Sequence, residues 1–465
     1  MFLLTGLTSA SVLKNDERIS EKQYIIKPIN PMAPRNDVLT EKDEDIFTLS
    51  ETEEIKPIWA KYWDRTDYEE EVDHGKNKFD TGYDSAIDEQ NGYIYISGYG
   101  QGFLKNGNQY IDYLLLKYDL DGKLQWYKIL GSVGLPISGT CVVCVDNDGY
   151  IYVAYPNENN KIVLSKYNQN GDEIWAKIWT GRNFDFVFSI VESKGFIYLT
   201  GATSTSTRFC DFDVFLLKYD AEGNKIWERT WTGGKDIEDW GFSVITYTTE
   251  GKEYIYVAAV SDPIDENDDG DIILLKYDTN GEIQWQKTYN MDLWDIPTSI
   301  AIHANYLYVT GVTGVVHQIY NVFLLKYDLD GNQVWSEPKI WGEYDENIPH
   351  RIIIDDNYIF VSGMVGIDYS IGIIPILLLL KYDLNGELVF AKTWQSHSEG
   401  HGIESYNGYL YISGNSQSKV LLLKCNYDGS RSRSKSVNLA FFNLLERYPL
   451  LAKFLSIFIR PLNLI

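Results

Sequence analysis

The stretch 324-LLKYDLDGNQVW-335 reads as a strand, a tight turn and a second strand, and close copies of it recur along the chain. Aligned on its lysine, the copies fall at Lys117, Lys166, Lys218, Lys276, Lys326, Lys381 and Lys424, separated by 49, 52, 58, 50, 55 and 43 residues. A period of about 50 residues is that of a four-stranded propeller blade; helical repeats are shorter and need 3.6-residue periodicity.

Each copy divides into four strand-like pieces. In the third they are 187-VFSIVE-192, 196-FIYLT-200, 214-VFLLKYD-220 and 225-KIWERTW-231, denoted A to D and rich in β-branched and aromatic residues. The C strands are near-continuous apolar runs, such as Leu377 to Leu380, as expected where both faces of a strand are covered. The D-strand aromatic recurs as Trp126, Trp175, Trp227, Trp285, Trp335 and Phe390. No D strand follows the last C strand, 419-KVLLLKCNYDG-429, but 57-PIWAKYW-63 carries the Trp-x-Lys-x-Trp pattern of 175-WAKIW-179 with no A, B or C strand before it. The expectation is an all-β, seven-bladed β-propeller of four-stranded antiparallel blades over residues 57–429, its ring closed by the N-terminal strand so that no sheet edge is left open. Residues 1–56 read as a leader and acidic linker, and 430–465 as a basic linker with a helical tail.

The units resemble the seven-bladed propeller repeats, of SBBP type, found in prokaryotic and archaeal surface proteins. The residues that carry the likeness are Trp227, Arg229 and Trp231, then Ser243 and Val244, then 254-YIYV-257 and 273-ILLKYDTNG-281. The resemblance implies an exported scaffold and no common chemistry. The turn followed by Trp is also similar to the tryptophan-docking motif of quinoprotein dehydrogenases, but lacks that motif's Thr-Gly pair.

A residue repeated in every blade serves the blade. The Tyr-Asp-x-Asp/Asn-Gly turns need Asp or Asn to bond the local backbone and Gly to supply positive φ, and need no metal. The repeated lysine is expected to lay its stem on apolar neighbours and to meet a carboxylate at its tip. The D-strand aromatics, and their partners four residues on, are expected to pack between blades.

The formal charge of −25 repels phosphate backbones, so no nucleic-acid partner is expected, while cationic ligands, Ca²⁺ and basic partners remain open. Cys141, Cys144, Cys210 and Cys425 are too scattered for a disulfide framework. Cys141 and Cys144 lie three apart in a strand-like run, on opposite faces, and are not expected to share a metal.

Function is therefore sought where the blades differ. Antiparallel strands put the short A–B and C–D turns on one face and the varied B–C and D–A loops on the other, which is the expected working face. There Trp240, Trp294 and Tyr344 alternate with Asp239 and Asp295, a set suited to stacking on sugars or on basic side chains. Asp185, Asp239, Asp295 and Asn347 also share one place before strand A, which makes a structural cap on the loop the competing reading. Asp265, Asn267 and Asp269 match the first half of a calcium loop, but Lys276 stands where a bidentate Glu is needed, leaving at most a weak Ca²⁺ site. His397, His401 and His350 lie on neighbouring blades and are candidates for a transition-metal site near the axis.

The apolar start 1-MFLLTGLTSASVL-13 lacks a positive segment and reads either as a shortened secretion signal or as a frayed end. At the other end Phe441, Phe442, Leu445, Leu451, Phe454 and Phe458 follow a basic linker, as in an interfacial membrane anchor or a helix docked on protein. The chain thus reads as a monomeric, non-enzymatic binding or scaffold propeller for a protein or glycan partner, without a cofactor unless Ca²⁺. It is expected to be extracellular or surface-associated, with peripheral membrane contact through the tail, the alternative location being cytoplasmic. The alternative activities are those of a quinoprotein-like oxidoreductase or a carboxylate-dependent glycan-active enzyme.

Overall fold

A computed structural model of the protein describes residues 53–64, 79–103, 109–134, 140–206, 211–234, 237–263, 270–291, 294–315, 319–369 and 372–429. Among these the chain is all β, without helix, and builds the antiparallel sheets of a β-propeller. Two short strands come first, β1 (Glu53–Glu54) and β2 (Trp59–Trp63). A four-stranded sheet follows from β3 (Phe79–Asp88), β4 (Tyr93–Phe103), β5 (Gln109–Asp119) and β6 (Leu124–Gly134). The next comprises β7 (Val142–Val145), β8 (Ile151–Pro156), β9 (Ile162–Tyr167) and β10 (Glu173–Trp179). Then come β11 (Phe184–Ser193), β12 (Phe196–Ser204), β13 (Phe212–Asp220) and β14 (Lys225–Trp231). A fourth sheet contains β15 (Ile237–Thr249), β16 (Lys252–Pro263), β17 (Asp271–Asp278) and β18 (Ile283–Tyr289).

Strands β19 (Trp294–His303), β20 (Tyr306–Val315), β21 (Ile319–Asp328) and β22 (Lys339–Trp341) meet β23 (Glu346–Asp355), β24 (Tyr358–Tyr369), β25 (Gly372–Asp383) and β26 (Leu388–Ser396). One parallel pairing, Tyr320 with Glu346, joins the two groups, and β1 adds to β26, so together they count as one nine-stranded sheet. The last strands are β27 (Ser398–Tyr406), β28 (Tyr409–Ser416) and β29 (Lys419–Asn426), and β2 pairs antiparallel with β29 through Trp59 opposite Lys424 and Trp63 opposite Val420. The D-strand reading needs one adjustment. Val334 to Pro338, Trp335 included, are irregular and the strand starts only at Lys339, so the buried aromatic that pairs with Val322 is Trp341, six residues after Trp335.

Each first strand packs against the next in order, β3 on β7, β7 on β11, and so on through β23 on β27, with β27 also against β3. Their side chains face a common centre. Six of these strands carry a bulge in the same place, leaving Tyr83, Phe188, Phe242, Thr298, His350 and His401 unpaired in the ladder. A bulge bends the strand and re-aims its side chain, which is how each first strand turns one residue inward. The neighbouring strand comes so close there that a Cβ on Gly201 or Gly363 would strike the carbonyl oxygen of Phe186 or Ile348.

Successive sheets are tied by the repeated turn. Trp126 Nε1 and Lys117 Nζ both donate to the Gln169 carbonyl, at 3.0 and 2.9 Å. The same two-donor contact joins Trp175 and Lys166 to Ala221, Trp227 and Lys218 to Thr279, and Trp285 and Lys276 to Leu329. Lys424 on β29 reaches Leu120, in the turn after β5, at 3.0 Å. The carboxylate expected at the lysine tip is thus replaced by a backbone carbonyl, because the ammonium also lies over a ring of the second strand, such as Tyr93 at 3.5 Å, and ring plus carbonyl compensate a buried charge. Within the turn Asp119, Asp220, Asp278, Asp328 and Asp383 each accept two backbone N–H bonds, and Gly281 (φ 79°) supplies the left-handed step against Trp227 and Arg229.

Trp227→Phe keeps the ring packing and removes one donor while Lys218 still occupies the carbonyl. It should lower stability by about 1 kcal/mol, and Trp227→Ala by several times that. Urea unfolding of the two variants checks this; equal losses would mean that the ring contact is immaterial.

Candidate functional site

The expected platforms on the loop-rich face are largely built into the core. Trp240 is only 4% exposed and packs 4.5 Å from Phe212 and 5.9 Å from Phe186 and Phe188, so it is not a surface for a ligand to stack on. The bulge before Ser243 turns Phe242 toward Phe188 and leaves Trp240 in the layer between sheets. Trp294 is partly buried against the same cluster and lies 6.3 Å from Tyr320, and Tyr344 is half-buried.

Asp239 and Asp295 are fully buried caps. Gly233 N donates to Asp239 at 2.7 Å and Met291 N to Asp295 at 2.8 Å, as Gly181 N and Arg182 N do to Asp185, and Glu343 N and Tyr344 N to Asn347. Burial pushes the Asp239 carboxyl up, while Ser261 and the Gly233 N–H pull it back. The cap reading of these residues is the one the geometry meets. Asp265, Asn267 and Asp269, and the tail residues Phe441, Phe442, Leu445, Leu451, Phe454 and Phe458, lie outside the described residues. Cys141 and Cys144 belong to different hydrophobic clusters, as residues on opposite strand faces should.

The groups that do converge lie at the centre, one residue beyond the bulges. Ser189, Ser243 and Ser299 stand there on β11, β15 and β19, each accepting a backbone N–H from the next first strand: Val244, Ile300 and Ile352. Asp84 takes the same role on β3 by accepting from Val143 N at 3.1 Å. Its other oxygen pairs with Arg351 of β23 at 3.4 Å, across β27, where the equivalent residue is Gly402 and leaves room for the guanidinium. Glu404 completes the group through Ser85 Oγ, at 3.4 Å.

Burial raises the Asp84 carboxyl against the pull of Arg351. Glu404 is pushed up to about 8, again by burial first, with Arg351 lowering and Asp84 raising it. Arg351 is held charged, Asp84 being the main cause. Beside this group is a cavity of about 390 Å³, lined by the C-terminal halves of the first strands, including Glu89, Ser243, Ile302, Arg351, Glu404 and Ser405. It runs toward the short-turn end rather than the loop-rich face. Sequence reasoning passed over Asp84, Arg351 and Glu404, although the signal was present: where three repeats have Ser after the bulge, two have a charged residue.

A second set lies one residue earlier. His350 and His401 occupy equivalent bulges on β23 and β27, their ring centroids 4.4 Å apart, and His401 stacks on Tyr83 at 5.7 Å. His401 Nε2 is 3.3 Å from Glu399, whereas His397 is exposed and takes no part. Burial, with His401 beside it, drives the His350 pKa well below the usual histidine range.

No family model and no curated protein sequence matches the chain. Solved structures do match. An acylaminoacyl peptidase in complex with Z-Gly-Gly-Phe-chloromethyl ketone is 10% identical with a TM-score of 0.45, over 78% of this chain and 54% of that one. The acylaminoacyl peptidase of Pyrococcus horikoshii is 11% identical with a TM-score of 0.43, over 79% and 54%. The GH93 α-L-arabinofuranosidase of Fusarium graminearum with arabinobiose is 10% identical with a TM-score of 0.43, over 63% and 94%. The chain spans about half the length of the two peptidases, and at this similarity no activity or substrate passes from any of them to it.

Two outcomes follow from this placement. Trp240→Ala should cost about 3–5 kcal/mol by opening a cavity among Phe186, Phe188 and Phe212, measured by denaturant unfolding; a loss under about 1 kcal/mol would return Trp240 to the surface. Glu404 is neutral in both folded and unfolded chains well below pH 4.5, its ordinary value. Between there and about 8 only the unfolded chain releases the proton, so stability falls as pH rises, and the loss is complete above 8. Glu404→Gln should remove that decline, gaining on the parent protein from pH 5 to pH 8 by an amount on the order of a few kcal/mol, at the low end because Glu404 keeps partial access to the cavity. Parallel pH–stability curves would show that the carboxyl is solvated.

Proposed function

We propose that the chain is a non-enzymatic recognition propeller. In this reading β3–β6, β7–β10, β11–β14, β15–β18, β19–β22, β23–β26 and β27–β29 with β2 act as seven blades, and the N-terminal β2 closes the ring. The pairing of β2 with β29 and the Lys424 bond to Leu120 support the closure. It would belong with the seven-bladed surface propellers that its repeats resemble, as a monomer outside the cell. The tail from Phe441 to Phe458 would hold it at a membrane surface, and Asp265, Asn267 and Asp269 would bind Ca²⁺ only weakly.

The observation that carries the reading is the polar cavity at the centre. Arg351 is matched by Asp84, which leaves Glu404, Glu89, Ser243 and Ser405 as acceptors and donors for hydroxyls, so the ligand is read as a sugar at the end of a glycan. A seven-blade frame would hold these groups rigidly, which suits recognition of a polyhydroxylated ligand that supplies little apolar area.

Screening the full chain on an array of mono- to tetrasaccharides, followed by calorimetry on the best binder, tests this. Glu404→Gln and Ile302→Trp, the second filling the cavity, should each weaken binding roughly tenfold or more. If a saccharide binds and neither change matters, the site is not the cavity; if only Lys/Arg-rich peptides bind, the partner is a protein. A second reading, a carboxylate-dependent glycan-active enzyme, is favoured by one observation, a Glu404 carboxyl that burial pushes up to about 8 beside the raised Asp84 at the edge of the cavity. Turnover of nitrophenyl glycosides that disappears in Glu404→Gln would replace the first reading with this one.

A further inference from the structure

We propose that His350, His401 and Glu399 bind a first-row divalent transition-metal ion, of the Zn²⁺ or Co²⁺ kind, between the first strands β23 and β27. One nitrogen of each imidazole and one Glu399 oxygen already lie within 4.8 Å of one another. An ion with bonds of about 2.1 Å places tetrahedral donors about 3.4 Å apart, so the His401–Glu399 pair at 3.3 Å is at coordination spacing and His350 needs only a small side-chain shift.

The second observation is an unmet hydrogen-bonding need. His350 Nε2 and His401 Nδ1 are both buried without a hydrogen-bond partner, and His401 as a whole is 7% exposed. A buried imidazole nitrogen without a partner carries the full cost of losing water. Two such rings in contact repel when protonated and cannot satisfy each other in this tilted arrangement, 52° between planes. A bound cation removes the cost at His350 by taking the lone pair of Nε2; on His401 it takes Nε2, beside the Glu399 carboxylate that it neutralises, and Nδ1 keeps the ring's N–H. Two imidazoles and a carboxylate are donors of intermediate hardness, which select Zn²⁺, Co²⁺ or Ni²⁺ over Ca²⁺ or Mg²⁺. Tyr83, stacked on His401, fixes the orientation of that ring.

The position in the fold separates this from a structural pair. The same bulge holds Phe188, Phe242 and Thr298 on β11, β15 and β19, so the fold itself asks for no histidine there. Histidine at two adjacent bulges, with Glu399 two residues before one of them, is a departure from the repeat that packing does not require. It also gives variants that respect the fold, since His350→Phe and His401→Tyr copy the neighbouring sheets.

The test is titration of chelator-treated full chain with Co²⁺, followed by visible absorption, and with Zn²⁺ by calorimetry. The expected result is one ion per chain, with ligand-field bands between about 500 and 650 nm for a four- or five-coordinate site. His350→Phe, His401→Tyr and Glu399→Gln should each weaken binding by roughly tenfold or more, and His397→Ala should leave it unchanged. Circular dichroism and thermal melting establish that each variant is folded. Should His401→Tyr fail to fold, His350→Phe and Glu399→Gln decide the matter. Absence of saturable one-to-one binding, or binding that survives both His350→Phe and Glu399→Gln, would assign the metal to surface carboxylates and overturn the proposal.

Discussion

Among the described residues, four turn carbonyls, of Gln169, Ala221, Thr279 and Leu329, each receive two donors from the sheet before, the indole N–H of a tryptophan and the ammonium of a lysine, and Leu384 and Leu120 receive the lysine. On this shared acceptor the stacking of the sheets depends. Burial lowers the pKa of Lys218, Lys276 and Lys326, which marks the cost of placing an ammonium between sheets. The carbonyl and the tyrosine or phenylalanine face beneath it offset that cost. A carboxylate in that position would have to be buried as well, with its own desolvation; a backbone carbonyl is present in any case and needs a partner. The contact therefore fixes the spacing of sheets with groups that every copy of the turn possesses.

Because the outer edge is committed to holding sheets together, chemistry is left to the inner edge. There the bulge exempts one residue from the ladder in six of the first strands, and the next residue faces the centre. Where this second residue is serine it accepts a bond from the following strand. Asp84 does the same with one oxygen and keeps the other for Arg351, so a structural position becomes an electrostatic one by a single change of side chain. Gly402, between them in the order of strands, provides the space through which the guanidinium passes.

The strands, their four-fold grouping and the Asp-x-x-Gly turns were legible because they repeat: 214-VFLLKYD-220 and its copies show the same alternation and the same punctuation each time. The caps were half legible. Asp185, Asp239, Asp295 and Asn347 shared a place in the pattern, but spacing alone could not say whether their oxygens faced backbone or solvent. Trp240 was misjudged because a tryptophan in a variable, acidic stretch looks exposed, while the strand actually begins at Ile237 and carries Trp240 inside. His350 and His401 were visible as equivalents, and His397 was a false companion, since its positive φ turns it out to solvent while Glu399 points in. The pairing of Arg351 with Asp84 could not be seen at all: the two are far apart in sequence and meet only across a third strand.

The charged and metal-ligating residues are not spread evenly around the centre. Asp84 belongs to β3, His350 and Arg351 to β23, and His401, Glu399 and Glu404 to β27, three first strands in succession. The middle one is held in a sheet whose fourth strand, β2, comes from the far end of the chain. Its place beside β3 and β23 thus depends on a pairing between residues more than three hundred positions apart. A half-buried guanidinium, a carboxyl that burial raises and two imidazoles that each keep one unpartnered nitrogen are all costly where water is excluded. Gathering them at one junction confines that penalty to three neighbouring first strands and leaves β11, β15 and β19, with their serines and Phe188, Phe242 and Thr298, free of it.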